Sequence, residues 1–380
     1  MRRAALAVTA GVFALMVAGA AAGGEENTRD VVLTTRLPIR ELAADGKGFA
    51  VMTSGAKGDT TTYAVNAWAA PGRKRASIPI PSTSCYHGCG ELAVAGSQVA
   101  WVEGTGGNSL ELYLRLAKVS GGPRKQVDYA ANGAGAGEDP EGRWLGEVRG
   151  GGSLLAYNRW DVKCTEQPEP GYGCGTFGIG DRELVRIGSG RPVVVDRGAD
   201  VCPLAAVGGG RMVVATVPGT ESSGNVRGMG CESGAPGSAG RVTVVGRSGA
   251  RVATISAVEG DPPTAIALSR TRLAILRSRS LDLYDPVTGE KTKTLLLDAT
   301  RLALGGVTSN LALLRNAARF VVVRLSDGKR VSLPLRRGSA RRVIDARLTA
   351  AGLFYAFNVR HGSAKGRIVF EPMAKLLARF

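Results

Sequence analysis

The stretch Leu281–Leu297 reads LDLYDPVTGEKTKTLLL. Two strand-like runs flank Asp285-Pro286-Val287-Thr288-Gly289, and the whole predicts a β-hairpin. Asp, Pro and Gly favour the turn, and the flanking alternation suits strands with one buried face. Just upstream lies a short apolar run, LAIL at Leu273. Six similar runs occur along the chain: FAVM at Phe49, VAWV at Val99, LLAY at Leu154, MVVA at Met212, LALL at Leu311 and LFYA at Leu353. Their starts are 50, 55, 58, 61, 38 and 42 residues apart. A turn-like di- or tripeptide precedes each, such as Asp45-Gly46, Gly150 to Gly152 and Gly208 to Gly210. A second glycine landmark follows: Gly72, Gly122, Gly190, Gly249, Gly289 and Gly328.

Seven units with room for four short strands each predict an all-β fold, a seven-bladed β-propeller of four-stranded antiparallel blades. One blade cannot bury both of its faces. Packing blades radially does so, and closing the ring removes the exposed ends. Numbering strands from the axis outward, the apolar runs are second strands and the later glycines join third to fourth. The last blade takes its first strand near Arg342 to Arg347, then Leu353 to Asn358, then Gly366 to Phe370. Its outer strand comes from Val31 to Thr35, clasping the ring, or alternatively from Met373 to Phe380.

With these repeats in hand, the chain resembles the secreted, Arg-rich and Gly-rich β-propellers of high-GC bacteria, and is distantly similar to TolB-like and quinoprotein-like propellers. The resemblance rests on structural repeats over nearly the whole mature chain. The Asp-Pro-x-Thr-Gly turn occurs once in full, and Leu325-Ser326-Asp327-Gly328 is a looser relative. It implies a fold and carries no functional residue.

Arg2 and Arg3 followed by apolar Ala4 to Ala18, then small residues up to Ala22, predict a cleavable signal peptide over residues 1–22. Residues 23–30 read as a linker and 31–380 as a single propeller domain. The expected location is secreted or extracytoplasmic, in the cell envelope, with no membrane span after cleavage. Six cysteines agree with export: Cys85, Cys89, Cys164, Cys174, Cys202 and Cys231 read as disulfides, with pairing of sequence neighbours the simplest arrangement.

Composition narrows the rest. Apolar residues make up 44% of the chain, enough for a real core, and only His87 and His361 are available to a histidine metal centre. Lys and Arg total 49 against 32 acids, a net charge of +17. Aromatics at 5% are too sparse for a single-stranded nucleic-acid platform, so no nucleic-acid partner is expected. No G-x-S-x-G, Walker, EF-hand or HExxH motif occurs. GCGTFG, from Gly173 to Gly178, matches G-x-G-x-x-G only formally, since no helix pattern follows it.

Function is expected on the face carrying the second-to-third loops and the blade-to-blade connections. Two insertions, about Asn158 to Gly180 and Pro218 to Ala239, lengthen blades three and four there, and all six cysteines map to that face. Blades five to seven offer it an arginine arc: Arg277, Arg279, Arg315, Arg319, Arg336, Arg337, Arg341, Arg342 and Arg360. Forked guanidinium hydrogen bonds suit an anionic ligand. Asp161 beside Trp160, and Glu103 after Trp101, are the acids placed next to aromatics. The expectation is a monomeric, exported, non-catalytic binding or scaffold propeller without cofactor or metal. Its partner would be an anionic cell-envelope polymer or another exported protein. The alternative is a propeller hydrolase, lactonase-like or glycan-cleaving, working through carboxylates and a divalent metal.

Overall fold

The computed structural model describes residues 30–57, 60–106, 109–133, 142–166, 176–198, 201–215, 241–256, 261–298, 302–315, 319–333, 340–359 and 365–380. They form seven four-stranded antiparallel blades. From the axis outward, blade one is Ile39–Asp45, Gly48–Lys57, Thr60–Trp68 and Ala76–Ile80. Blade two is Gly88–Ala95, Gln98–Thr105, Ser109–Lys118 and Lys125–Gly133. Blade three is Gly142–Gly151, Leu154–Glu166, Thr176–Gly188 and Arg191–Gly198. Blade four is Leu204–Gly208, Arg211–Ala215, Val242–Gly246 and Arg251–Ile255. Blade five is Ala265–Leu268, Leu273–Leu276, Ser280–Tyr284 and Lys291–Leu296. Blade six is Ala303–Val307, Leu311–Arg315, Phe320–Arg324 and Arg330–Leu333. Blade seven is Ala340–Thr349, Gly352–Val359 and Gly366–Pro372, completed by Val31–Thr35. A single pairing of Gly142 with Asn132 also links blades two and three.

The innermost strands contact one another around a closed ring, the seventh returning to the first. Seven hydrophobic clusters fill the seven junctions. This is the burial logic of the repeat made physical: each blade is covered on both faces only because it has two neighbours. The Asp285 turn forms as its sequence predicts. Asp285 Oδ1 accepts the Val287 and Thr288 amides at 2.7 and 3.1 Å, and Gly289 takes φ +75°.

Val31–Thr35 pairs antiparallel with the third strand of blade seven, from Val31 opposite Phe370 to Thr35 opposite Gly366. The alternative closure fails because Met373–Leu377 is a short helix. Asn358 seals the same junction from a side chain: its Oδ1 accepts the Ile39 amide at 2.7 Å and its Nδ2 donates to the Ile39 carbonyl at 3.0 Å. Phe49 stacks on Trp68 and tilts against Phe354, which meets Phe370, so the closing joint has an aromatic core.

The repeat is out of phase by one residue in two blades. Strand pairing places Gly48, Gln98, Leu154 and Leu311 at the same position, the residue that opens the second strand. The equivalent core residues are therefore Phe49, Val99, Leu155, Met212, Leu273, Ala312 and Leu353, and each packs into the junction with the preceding blade. Leu154 and Leu311 instead face the following blade.

Glycines in the runs expected to be only turns also set how closely blades approach. A Cβ on Gly150 would lie 2.4 Å from the Val94 carbonyl oxygen, and one on Gly208 would lie 2.3 Å from that of Leu268. These positions hold inner strands of adjacent blades backbone to backbone.

Candidate recognition face

The connection from blade one to blade two is stapled by a disulfide between Cys85 and Cys89. Cys85 ends the 3-10 turn Ser82–Cys85 and is buried in the core between these blades. The His87 amide donates to the Gly104 carbonyl at 2.9 Å, and Thr105 Oγ1 donates to that of Thr83 at 2.7 Å. Held at both ends, the loop turns Tyr86 outward at 75% exposure, with the His87 ring edge-on at 5.0 Å. Cys202 also stands in a disulfide. Cys174 and Cys231 lie outside the described residues, as does the side chain of Cys164.

The expected loop from Asn158 to Gly180 is corrected at both ends. Residues 154–166 and 176–188 are strands of one long hairpin, with Val162 opposite Ile179 and Lys163 opposite Gly178. The Gly-, Pro- and Cys-rich centre obscured the strand-forming flanks. Of GCGTFG, Thr176 to Gly178 begin a strand and the rest lies outside the described residues, as do 216–240 with the second insertion.

Trp160 and Asp161 therefore sit on a strand and reach opposite faces. Asp161 pairs with Arg143 at 3.3 Å. Trp160 stacks on Trp144 and lies under the Arg182 guanidinium at 5.4 Å, and its buried Nε1 has no hydrogen-bond partner among the described residues. Beside Asp161, a polar pocket is lined by Arg143, Arg159, Asp161, Asp181, Glu183 and Arg197, with Trp160 at its wall. Inside it Arg159 bridges Asp128 of blade two, at 3.1 Å, to Glu183, which also pairs with Arg197. Tyr157 donates to Asp128 at 2.5 Å, and burial followed by that carboxylate raises the phenol far above its ordinary value. Arg143, Arg159 and Arg197 are thus each engaged by a carboxylate.

The arginine arc is divided. Arg277 is buried, pairs with Asp282 at 3.1 Å and donates to the Asp261 carbonyl, leaving Nη2 buried without a hydrogen-bond partner among the described residues. Arg315 reaches blade seven, pairing with Asp345 at 3.1 Å. The one-residue phase shift sends Arg315 toward the following blade, whereas Arg277 faces the preceding one. Arg279 and Arg319 are exposed. Arg336, Arg337 and Arg360 lie outside the described residues, together with the side chains of Arg341 and Arg342 and all of His361.

Glu103 explains its aromatic neighbour differently. Fully buried, it accepts Trp101 Nε1 at 3.0 Å, Arg115 Nε at 2.9 Å and Arg124 Nη1 at 2.6 Å. It is a saturated carboxylate joining the second and third strands of blade two to the turn before the fourth.

Four acids missing from the sequence reading emerge on the innermost strands. Glu41, Glu91, Glu147 and Asp345 each stand eight residues before the core residue that opens their second strand, at Phe49, Val99, Leu155 and Leu353. Blades four, five and six put Leu204, Ala265 and Leu304 there. The glutamates reach forward. Glu41 accepts the Glu91 and Leu92 amides at 3.2 and 2.8 Å, Glu91 accepts that of Val148 at 2.7 Å, and Glu147 that of Leu204 at 3.3 Å. The receiving amides sit at irregularities in the first strands of the next blades. Glu91 and Glu147 themselves adopt φ +59° and +57°, a conformation that side-chain-bearing residues rarely take. Burial, ahead of every other influence, raises the carboxyls of Glu41 and Glu147. Among the described residues, no group of three or more His, Cys, Asp or Glu is arranged to hold a metal ion.

No family model matches the chain, and no curated protein matches it. Solved structures do. The uncomplexed acylaminoacyl peptidase of Pyrococcus horikoshii is similar over 90% of this chain at 10% identity, with a TM-score of 0.52. The similarity covers 54% of the peptidase, so the chain spans about half its length. The β-propeller domain of Myceliophteria thermophila Cps50 (Swd1) aligns with 90% of this chain and 98% of its own, at 13% identity and a TM-score of 0.42. The β-propeller domain of the trilobed protease from Pyrococcus furiosus aligns with 80% and 99%, at 9% identity and a TM-score of 0.36. At these identities the shared property is the β-propeller fold.

Proposed function

We propose that this chain is an exported, non-catalytic binding or scaffold propeller that takes another exported protein on its loop face. The observation that carries the reading is Tyr86, a large aromatic held in solvent by the Cys85–Cys89 staple. A rigid exposed tyrosine offers much contact area with little rotamer entropy to lose, as interface anchors do. The disulfide fits an oxidising compartment. Among the described residues no helix is long and apolar enough to cross a membrane.

Charge supports a protein partner over a polyanion. Arg277 and Arg315, two members of the arc, are engaged by Asp282 and Asp345. The acids nearest the axis are engaged as well, by backbone amides or arginines, which favours binding over acid–base work. The test is affinity capture from the envelope fraction of the producing organism, comparing the wild-type protein with Tyr86→Ala. One protein should be retained by the wild type and lost, by about tenfold or more, with the variant. Equal capture by both, or retention only of anionic polymer in a salt-sensitive manner, would overturn the reading.

A further inference from the structure

A second exposed aromatic group stands on the outer two strands of blade two. Tyr113 and Tyr129 are opposite one another in the strand pairing, with ring centroids 5.0 Å apart and planes inclined by 48°. Tyr129 is 42% exposed on the outermost strand, and Tyr113 is half-buried beside it. Glu111, two residues before Tyr113, accepts the Tyr113 hydroxyl at 2.9 Å. Burial, followed by the charge of that same carboxylate, raises the Tyr129 phenol above its ordinary value. The Arg115 guanidinium lies 4.8 Å from the Tyr113 ring centroid and is fixed there by Glu103 and by Gln126 at 3.2 Å.

We propose that Tyr129, Tyr113, Glu111 and Arg115 form a binding platform for a neutral sugar ring of an oligosaccharide. An exposed aromatic face suits the apolar C–H face of a pyranose. Beside it stand a carboxylate that accepts hydroxyl hydrogen bonds and a guanidinium that donates them. Both polar groups are fixed by partners, which lowers the ordering cost of binding. Charge selects the ligand class. Glu103 and Glu111 balance Arg115 and Arg124, so this patch lacks the positive excess of the chain as a whole. A polyanion would find little net attraction here. A cation would find the Tyr113 ring already accompanied by Arg115.

The experiment is calorimetric titration of the full oxidised chain with cellohexaose, maltohexaose and chitohexaose, each at low and high salt. At least one should bind, with affinity unchanged by salt because no charge is neutralised. Tyr129→Ala should weaken that binding about tenfold, the order expected for one lost stacking contact. Glu111→Gln keeps the side-chain shape while weakening its acceptor, so it should reduce affinity without changing the thermal midpoint. Binding by none of the three sugars, binding that Tyr129→Ala and Glu111→Gln leave intact, or binding that fades with salt would overturn the proposal. The outcome is independent of the Tyr86 experiment, since the two patches share no residue.

Discussion

Glu91 Oε2 accepts the Val148 amide at 2.7 Å, so a side chain of blade two satisfies the irregular backbone of blade three. Glu41 does the same from blade one to blade two, and Glu147 from blade three to blade four. The inner strands are thus joined by a relay of carboxylates as well as by packing. Replacing Glu91 with Ala removes the acceptor and leaves the Val148 amide without it. The expected loss is about 1–3 kcal/mol of stability, measured by chemical denaturation. A change too small to measure would show that water takes over the role.

Two of these glutamates give a pH signature. Glu41 and Glu147 have carboxyls raised above 4.5 by burial, so each holds its proton more tightly in the folded protein than in the unfolded chain. Their contribution to stability therefore grows as pH falls from neutral through the folded pKa values, and levels off near 4.5. The charges around Glu147 are Arg182, Glu91 and Arg149. Denaturation midpoints at neutral pH and about pH 5 should change more favourably on acidification for the wild type than for Glu147→Gln. Parallel pH profiles would contradict the assignment.

Close blade approach can be tested with one methyl group. Gly208→Ala places a Cβ against the Leu268 carbonyl, which belongs to the next inner strand and cannot yield cheaply. The expected cost is about 1–3 kcal/mol. Gly246→Ala is the control, because its nearest contacts would be ordinary ones at 3.5 Å. Its thermal midpoint should stay near that of the wild type.

Arg277 offers a contrast between a binding arginine and a structural one. Asp282→Ala would leave that buried guanidinium without its carboxylate, an expected cost of about 3–5 kcal/mol. The double variant Arg277→Leu with Asp282→Leu should recover most of that loss, since neither charge remains to be desolvated. A double variant no more stable than the single one would show that the pair contributes net stability.

Much of this architecture was legible in the residues. All seven apolar runs lie in second strands, the six later glycines join third to fourth strands, and Val31–Thr35 closes the ring. Burial and turn chemistry write these features locally. The acid row was hidden by phase. Leu154 and Leu311 are apolar at a position where blades one and two have Gly48 and Gln98, so their runs seem to begin a residue early. With the starts corrected, Glu41, Glu91, Glu147 and Asp345 fall at one repeat position. The Arg159–Glu183–Arg197 ladder was hidden for another reason: Gly, Pro and Cys at the hairpin tip resemble a loop, and only pairing shows that the strands continue. Tyr113 and Tyr129 lie 16 residues apart, and nothing local announces that they are cross-strand neighbours.

Closure through Val31–Thr35 has a consequence for the order of events in making the protein. Ile39 and Asn358, 319 residues apart, bond to each other in the finished ring. Within the propeller the clasp is synthesised before every other strand, yet its partner strand, Gly366–Pro372, comes after all of them. Earlier blades can form and stack while the ring remains an open arc with an uncovered face at each end. The final step is a long-range docking whose loop-closure entropy has no earlier compensation. A nascent chain would therefore present two unsatisfied surfaces until its last strand arrives, making this the interval of greatest exposure to aggregation and to protection by a chaperone.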